Sequence, residues 1–150
     1  MKEYKTNLPE ITIKLKKGEV LNCQVKTSTD AVELLRKIWD MDTLPIYESV
    51  ICVFFNNRNN TIGWFKVSQG GLSNSIVDNR LILSTALTCL ASGIILAHNH
   101  PSGYTAPSDA DYRITQKLYE SSNIMDIKLL DHIILTEDSY YSFLDEGKLQ

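Results

Sequence analysis

Cysteine is scarce in this sequence: Cys23, Cys52 and Cys89 are its only ones, an odd number with no Cys-x-x-Cys pair. That argues against a disulfide framework and against a cysteine-built zinc or redox motif. Each sits among apolar residues, so all three read as buried thiols of a reducing cytoplasm. There is no basic excess either. A formal net charge of −3 and a pI near 5.6 leave no electrostatic footprint for nucleic acid. Lys14, Lys16 and Lys17 are the densest basic group and read as a solvated strand edge. No secretory apolar segment opens the chain, and no apolar run approaches the ~20 residues of a membrane helix. The expectation is a cytoplasmic protein with no membrane partner. Gly70-Gly71 lacks the Gly-Lys-Ser/Thr ending of a phosphate cradle. The His-x-Glu and Pro-Cys-x-x-Cys signature of zinc deaminases is also missing.

What is present suits one globular domain, since 43% of the 150 residues are hydrophobic. Ile11–Leu15 alternates apolar and polar residues, Lys17-Gly18 turns, and Val20–Lys26 returns, a hairpin pattern. Thr29 or Asp30 is positioned to cap a helix, with Glu33 completing the box and Ala31, Leu34, Leu35, Ile38 and Trp39 on one face. Glu48–Phe55 and Thr61–Val67, joined by an asparagine-rich turn, predict a central antiparallel hairpin. Asp78 caps a helix to about Ala91, with Ile82, Ala86, Cys89 and Leu90 inward, and Arg80 pairs with an acid. Gly93–Ala97 is a continuous apolar run, as in a buried central strand. A helix from Ser108 to about Ser122 and strands at Ile127–Leu135 and Tyr140–Phe143 follow. The sum is an α/β fold: a mixed sheet with helices on its faces.

The chemistry concentrates between Ile94 and Asp111. Side chains two apart on a strand share a face, so His98 and His100 can aim two imidazoles at one point. Imidazole nitrogen suits zinc, and Asp111, in the first turn of the next helix, can add a carboxylate oxygen. Three protein ligands leave a fourth position open for water, the mark of a catalytic rather than a structural site. A plainer reading stands beside it: Ser108 with Asp111 also resembles a helix capping box, and Pro101-Ser102-Gly103 is ordinary turn chemistry. Asp131-His132 is a rival constellation. His132 is a ligand, a partner to a ligand, or a satisfied core histidine, the last favoured by the buried run Ile133-Ile134-Leu135.

His98-Asn99-His100-Pro101-Ser102-Gly103 followed by Pro107-Ser108-Asp109-Ala110-Asp111 resembles the JAMM motif of JAB/MPN metalloproteins, in the wording of its RadC-like branch. The likeness runs from about Ile46 to Gly147 and includes Val77-Asp78-Asn79-Arg80, Leu130-Asp131-His132-Ile133-Ile134 and Tyr141-Ser142-Phe143. It implies an α/β/α sandwich of JAB/MPN, cytidine deaminase-like architecture, with Zn2+ held by His98, His100 and Asp111. It further implies that Glu48, at the start of a strand, is the general base, and that Ser108 steadies the oxyanion. Read alone, Glu48 is a solvated acid at a strand start. The family's Gly-Thr appears here as Asn74-Ser75 and its proline as Asn79; neither change touches a ligand.

The resemblance divides the chain into an N-terminal hairpin and helix over 1–45, packed as an extension, and a RadC-like JAB/MPN domain over 46–150. It implies a zinc metallohydrolase that cleaves an amide bond in a peptide or protein substrate. The alternatives are a DNA-linked role, after the repair name that RadC-like proteins carry by tradition, and a metal-free MPN scaffold. Oligomeric state is not written in the sequence.

Overall fold

The computed structural model describes residues 23–70 and 77–149, together with residues 9 and 12. The strand expected at Ile11–Leu15, apart from Thr12, lies outside the described residues, as do the three lysines, Gly71 and Asn74-Ser75. Of the segment expected to pair with it, Cys23–Lys26 is described, and it contributes one isolated bridge, Gln24 to Asn60, rather than a strand.

Helix α1 (Ser28–Ile38) starts earlier than expected. Its cap is Thr27, not Thr29 or Asp30, and the box is closed by Asp30, not Glu33. The Asp30 N–H donates to Thr27 Oγ1 at 3.1 Å, and Asp30 Oδ2 accepts from the Thr27 N–H at 2.9 Å. Asp30 stands three residues after Thr27, the separation that lets both bonds form at once. Ala31, Val32, Leu34, Leu35 and Trp39 are buried beneath it.

Five strands follow in one sheet: β1 (Ser49–Phe55), β2 (Thr61–Gln69), β3 (Gly93–Asn99), β4 (Lys128–Leu135) and β5 (Tyr140–Ser142). The spatial order is β2-β1-β3-β4-β5. β3 and β4 are parallel, and the other neighbours are antiparallel. The β1–β2 hairpin is real but not central: β2 is an edge strand, largely exposed, and β3 holds the middle. Asn59, with φ 57°, makes the left-handed step of the connecting turn.

β1 and β3 bury every residue, because helices cover both faces of the sheet. Ile51, Val53, Phe55, Ile95, Ala97, Ile133 and Leu135 pack against α1. Val50, Cys52, Phe54, Ile94, Leu96 and Leu129 pack the other way, on Ile82 and Ala86 of α2 (Asn79–Thr88) and Leu118 of α3 (Asp109–Ile124). The result is an α/β/α sandwich, the mixed α/β class expected. Asp78 caps α2 as expected, and Arg80 pairs with that same acid at 2.8 Å. The helix ends at Thr88, however, and Leu90, expected inward, lies in the left-handed region at φ 55° and is 83% exposed. Only Cys52 is fully buried; Cys23 and Cys89 are half-buried. Among the described residues no helix is long and apolar enough to cross a membrane.

This topology positions the site. β1 runs antiparallel to β3, so the start of β1 lies beside the end of β3, with Val50 opposite His98. α3 returns the chain from the end of β3 to the parallel strand β4. The end of β3, the first turn of α3 and the residue before β1 therefore meet at one edge of the sandwich.

Candidate metal centre

His98, the penultimate residue of β3, and His100, just beyond the strand, point to the α3 face. Their Nε2 atoms are 3.0 Å apart. Asp111, one turn into α3, sets Oδ1 at 3.2 Å from His98 Nε2 and Oδ2 at 3.5 Å from His100 Nε2. Zinc in tetrahedral coordination, with bonds of roughly 2.0–2.1 Å to nitrogen and oxygen, spaces its ligand atoms roughly 3.3–3.5 Å apart. The three donors stand close to that spacing, and the set of two imidazoles and a carboxylate is one that zinc accepts. Glu48, immediately before β1, completes the cluster: one ligand atom each from Glu48, His98 and His100 lie within 4.8 Å of one another. Asp111 touches both rings, whereas Glu48 makes no ion pair with either among the described residues. Of the two carboxylates, Asp111 is thus the closer partner of the imidazoles and Glu48 the outer one.

Each donor is held by a bond on its far side. His100 Nδ1 lies 2.8 Å from the Tyr104 carbonyl oxygen. A carbonyl only accepts, so Nδ1 carries a proton and Nε2 is the ring nitrogen turned toward Asp111. The turn that brings Tyr104 back passes through Gly103 at φ 84°, a conformation in which a side chain is strained. Ser108 caps α3: its Oγ accepts the Asp111 N–H at 3.2 Å, and its own N–H donates to Asp111 Oδ2 at 2.8 Å. The capping box and the metal set are therefore one constellation. The box fixes the carboxylate and leaves Oδ1 toward His98. Burial alone would raise the Asp111 carboxyl, but the bonds from His100, His98 and Ser108 outweigh it and hold it well below the usual carboxylate range. His100 is shifted up, first by its bond to Asp111, against burial and with help from Tyr104.

A family model for the RadC-like JAB domain matches residues 25–148, most of the chain. The chain belongs to the RadC-like JAB family. A relative from Flavobacterium johnsoniae, named "UPF0758 protein", is 43% identical over 138 residues, which cover 92% of this chain and 56% of the relative. Relatives of the same name from Nitrosococcus oceani and Aquifex aeolicus are 38% and 33% identical, over 90% and 89% of this chain and 57% and 56% of theirs. The chain spans little more than half the length of these curated relatives. Their shared name states no activity.

In this RadC-like JAB domain the five residues singled out in the sequence gather at one edge of the sheet, Ser108 through its bonds to Asp111. Three others join them, of which the sequence had singled out only His132, with a partner role among its alternatives. His132 is a buried histidine, as favoured, and is also a direct partner of His98, with Nε2 2.9 Å from His98 Nδ1. Thr115 stands behind it, one turn after Asp111 on the buried face of α3, which carries Asp111, Thr115, Leu118 and Ser122. Asn99, fully buried on the opposite face from the histidines, accepts the Ser49 N–H at 2.7 Å and donates to the Leu44 and Tyr47 carbonyls, each at 2.7 Å. It ties down the segment that carries Glu48. A polar residue between two co-facial histidines at a strand end must point to the other side, and that was legible too.

Proposed function

We propose that the protein is a zinc-dependent hydrolase that cleaves an amide bond, with His98, His100 and Asp111 as metal ligands. The observation that carries the reading is the convergence of two imidazole Nε2 atoms and the Asp111 carboxylate at zinc-like spacing, with Glu48 beside them. When bound there, zinc supplies a Lewis acid and a water activated near neutral pH. The far-side bonds of His98, His100 and Asp111 would hold these donors in position. Glu48, half-buried at the mouth, accepts the proton from water and returns it to the leaving amine. Ser108 is exposed and its Oγ already accepts from Asp111, so its hydroxyl proton is available to the developing oxyanion. Tyr104 and Tyr112, both exposed beside the site residues in sequence, offer apolar surface to an extended peptide or protein segment. The acidic net charge gives a nucleic-acid substrate no comparable support. Three free thiols fit a cytoplasmic setting.

The test is Glu48→Gln. Zinc content should be unchanged, and turnover of peptide and isopeptide substrates that the wild type cleaves should fall by at least ~100-fold, the scale of a lost general base. Hydrolysis at the wild-type rate in that variant would remove Glu48 from the reaction.

A further inference from the structure

His98 needs its Nε2 lone pair turned toward Asp111 and His100 if it is to ligate, and an imidazole offers two tautomers. A chain of bonds behind the ring decides between them. His98 Nδ1 lies 2.9 Å from His132 Nε2. His132 Nδ1 lies 2.6 Å from Thr115 Oγ1, and Thr115 Oγ1 lies 2.7 Å from the Asp111 carbonyl oxygen. The direction of the chain is fixed at its far end. A carbonyl only accepts, so the single hydroxyl proton of Thr115 must lie toward Asp111; with that proton elsewhere, two bare oxygens would face each other at 2.7 Å. Thr115 then has only lone pairs for His132, so His132 Nδ1 carries a proton. His132 is 1% exposed, and neither ring nitrogen touches a carboxylate among the described residues, so the ring is neutral and Nε2 is its acceptor. His98 must therefore donate from Nδ1, so that in the neutral ring the lone pair a metal would take is on Nε2.

We propose that His132, backed by Thr115, is a positioning residue for the metal centre: it locks His98 in the Nδ1–H tautomer with Nε2 open to a metal. The inference rests on the zinc reading above for its purpose, but the Nδ1–H bond to His132 does not require metal. The ring of His132 has little freedom to do anything else. It stacks on Phe143 with centroids 4.7 Å apart and planes 9° from parallel, and Phe143 is fully buried. The relay also joins two proposed ligands: it starts at the side chain of His98 on β3 and ends at the backbone of Asp111 on α3, by way of β4. One set of bonds thus registers the helix against the strand at the place where both must supply donors.

The experiment has two arms. In metal-free protein, long-range proton–nitrogen NMR of the His98 ring should show a protonated, pyrrole-type Nδ1. A bare, pyridine-type Nδ1 overturns the proposal. In the second arm zinc affinity is measured by competition with a chromophoric chelator. Thr115→Val removes the hydroxyl at nearly constant shape and leaves His132 Nδ1 without a partner in either tautomer. It should weaken zinc binding roughly ten- to hundred-fold, as loss of a ligand's outer partner does elsewhere. Thr115→Ser should restore it. Equal affinity in wild type and Thr115→Val overturns the relay. Absence of zinc binding in the wild type sinks the hydrolase reading instead, and the NMR pattern still decides the tautomer. That spectrum also decides should the valine variant not fold.

Discussion

Asp131 stands next to His132, 2% exposed, with no cation against it among the described residues. Its Oδ1 accepts the His132 and Leu144 N–H groups at 2.7 and 3.0 Å, and its Oδ2 accepts from Ser142 Oγ at 2.6 Å. Burial raises the carboxyl to about 6, the three hydrogen bonds oppose this, and Asp145 adds a smaller push upward. In the unfolded chain the same group titrates near 3.9, so the shift of about two units corresponds to about 3 kcal/mol. The sign follows from proton counting. Between pH ~4 and ~6 the folded protein holds a proton that the unfolded chain has lost, so stability from this group is full below pH ~4 and is lost as pH rises through about 6. Asp131→Asn cannot titrate, yet keeps an acceptor for the two N–H groups and presents an amide to the Ser142 hydroxyl, which can accept. Urea unfolding of metal-free wild type and variant, measured in parallel from pH 4 to 8, isolates the effect, since every other titrating group is common to both. The stability of the variant relative to wild type should climb by about 2.4 kcal/mol across that range, the rest of the effect lying below pH ~4. A difference that stays flat would show Asp131 ionised in both states throughout, its hydrogen bonds having overcome burial, and would refute the reasoning.

Asn99→Ala removes three buried bonds and should cost roughly 2–4 kcal/mol in chemical unfolding. Asn99→Asp should be worse, because a carboxylate cannot donate to the Leu44 and Tyr47 carbonyls; an aspartate variant as stable as wild type would contradict the clamp. Ser108→Ala removes the cap on α3 and should lower stability by about 1 kcal/mol. It should also depress turnover far more than zinc binding, because Ser108 Nα still holds Asp111. Equal losses in affinity and turnover would assign Ser108 to ligand positioning alone.

The sheet and its helices were legible because burial on both faces leaves a signal that needs no partner to read: Val50–Phe55 and Gly93–Ala97 are unbroken apolar runs. Sheet order was not legible. Nothing local in Thr61–Val67 says that it ends at an edge, since that depends on which strand β1 takes as its second neighbour. Helix ends failed where two caps competed, as with Thr27 against Thr29 and Asp30, and where a chain left the helix through a left-handed residue, as at Leu90. In the site, His98, His100 and Asp111 were readable from spacing because strand end, loop and helix start are contiguous. Glu48 was not, since its approach depends on antiparallel pairing across some fifty residues of sequence, and only the family resemblance singled it out. His132 was read as packing because a buried strand predicts a satisfied histidine; that the group satisfying it is itself a proposed ligand is a matter of the parallel β3–β4 register.

The central claim is that His98, His100 and Asp111 hold a zinc ion, and elemental analysis tests it most directly. Protein purified without chelator, then reconstituted and desalted, should carry about one zinc per chain. A His98→Ala, His100→Ala double variant, shown folded by circular dichroism, should carry essentially none. Zinc absent from the reconstituted wild type, or retained in full by the double variant, would contradict the account.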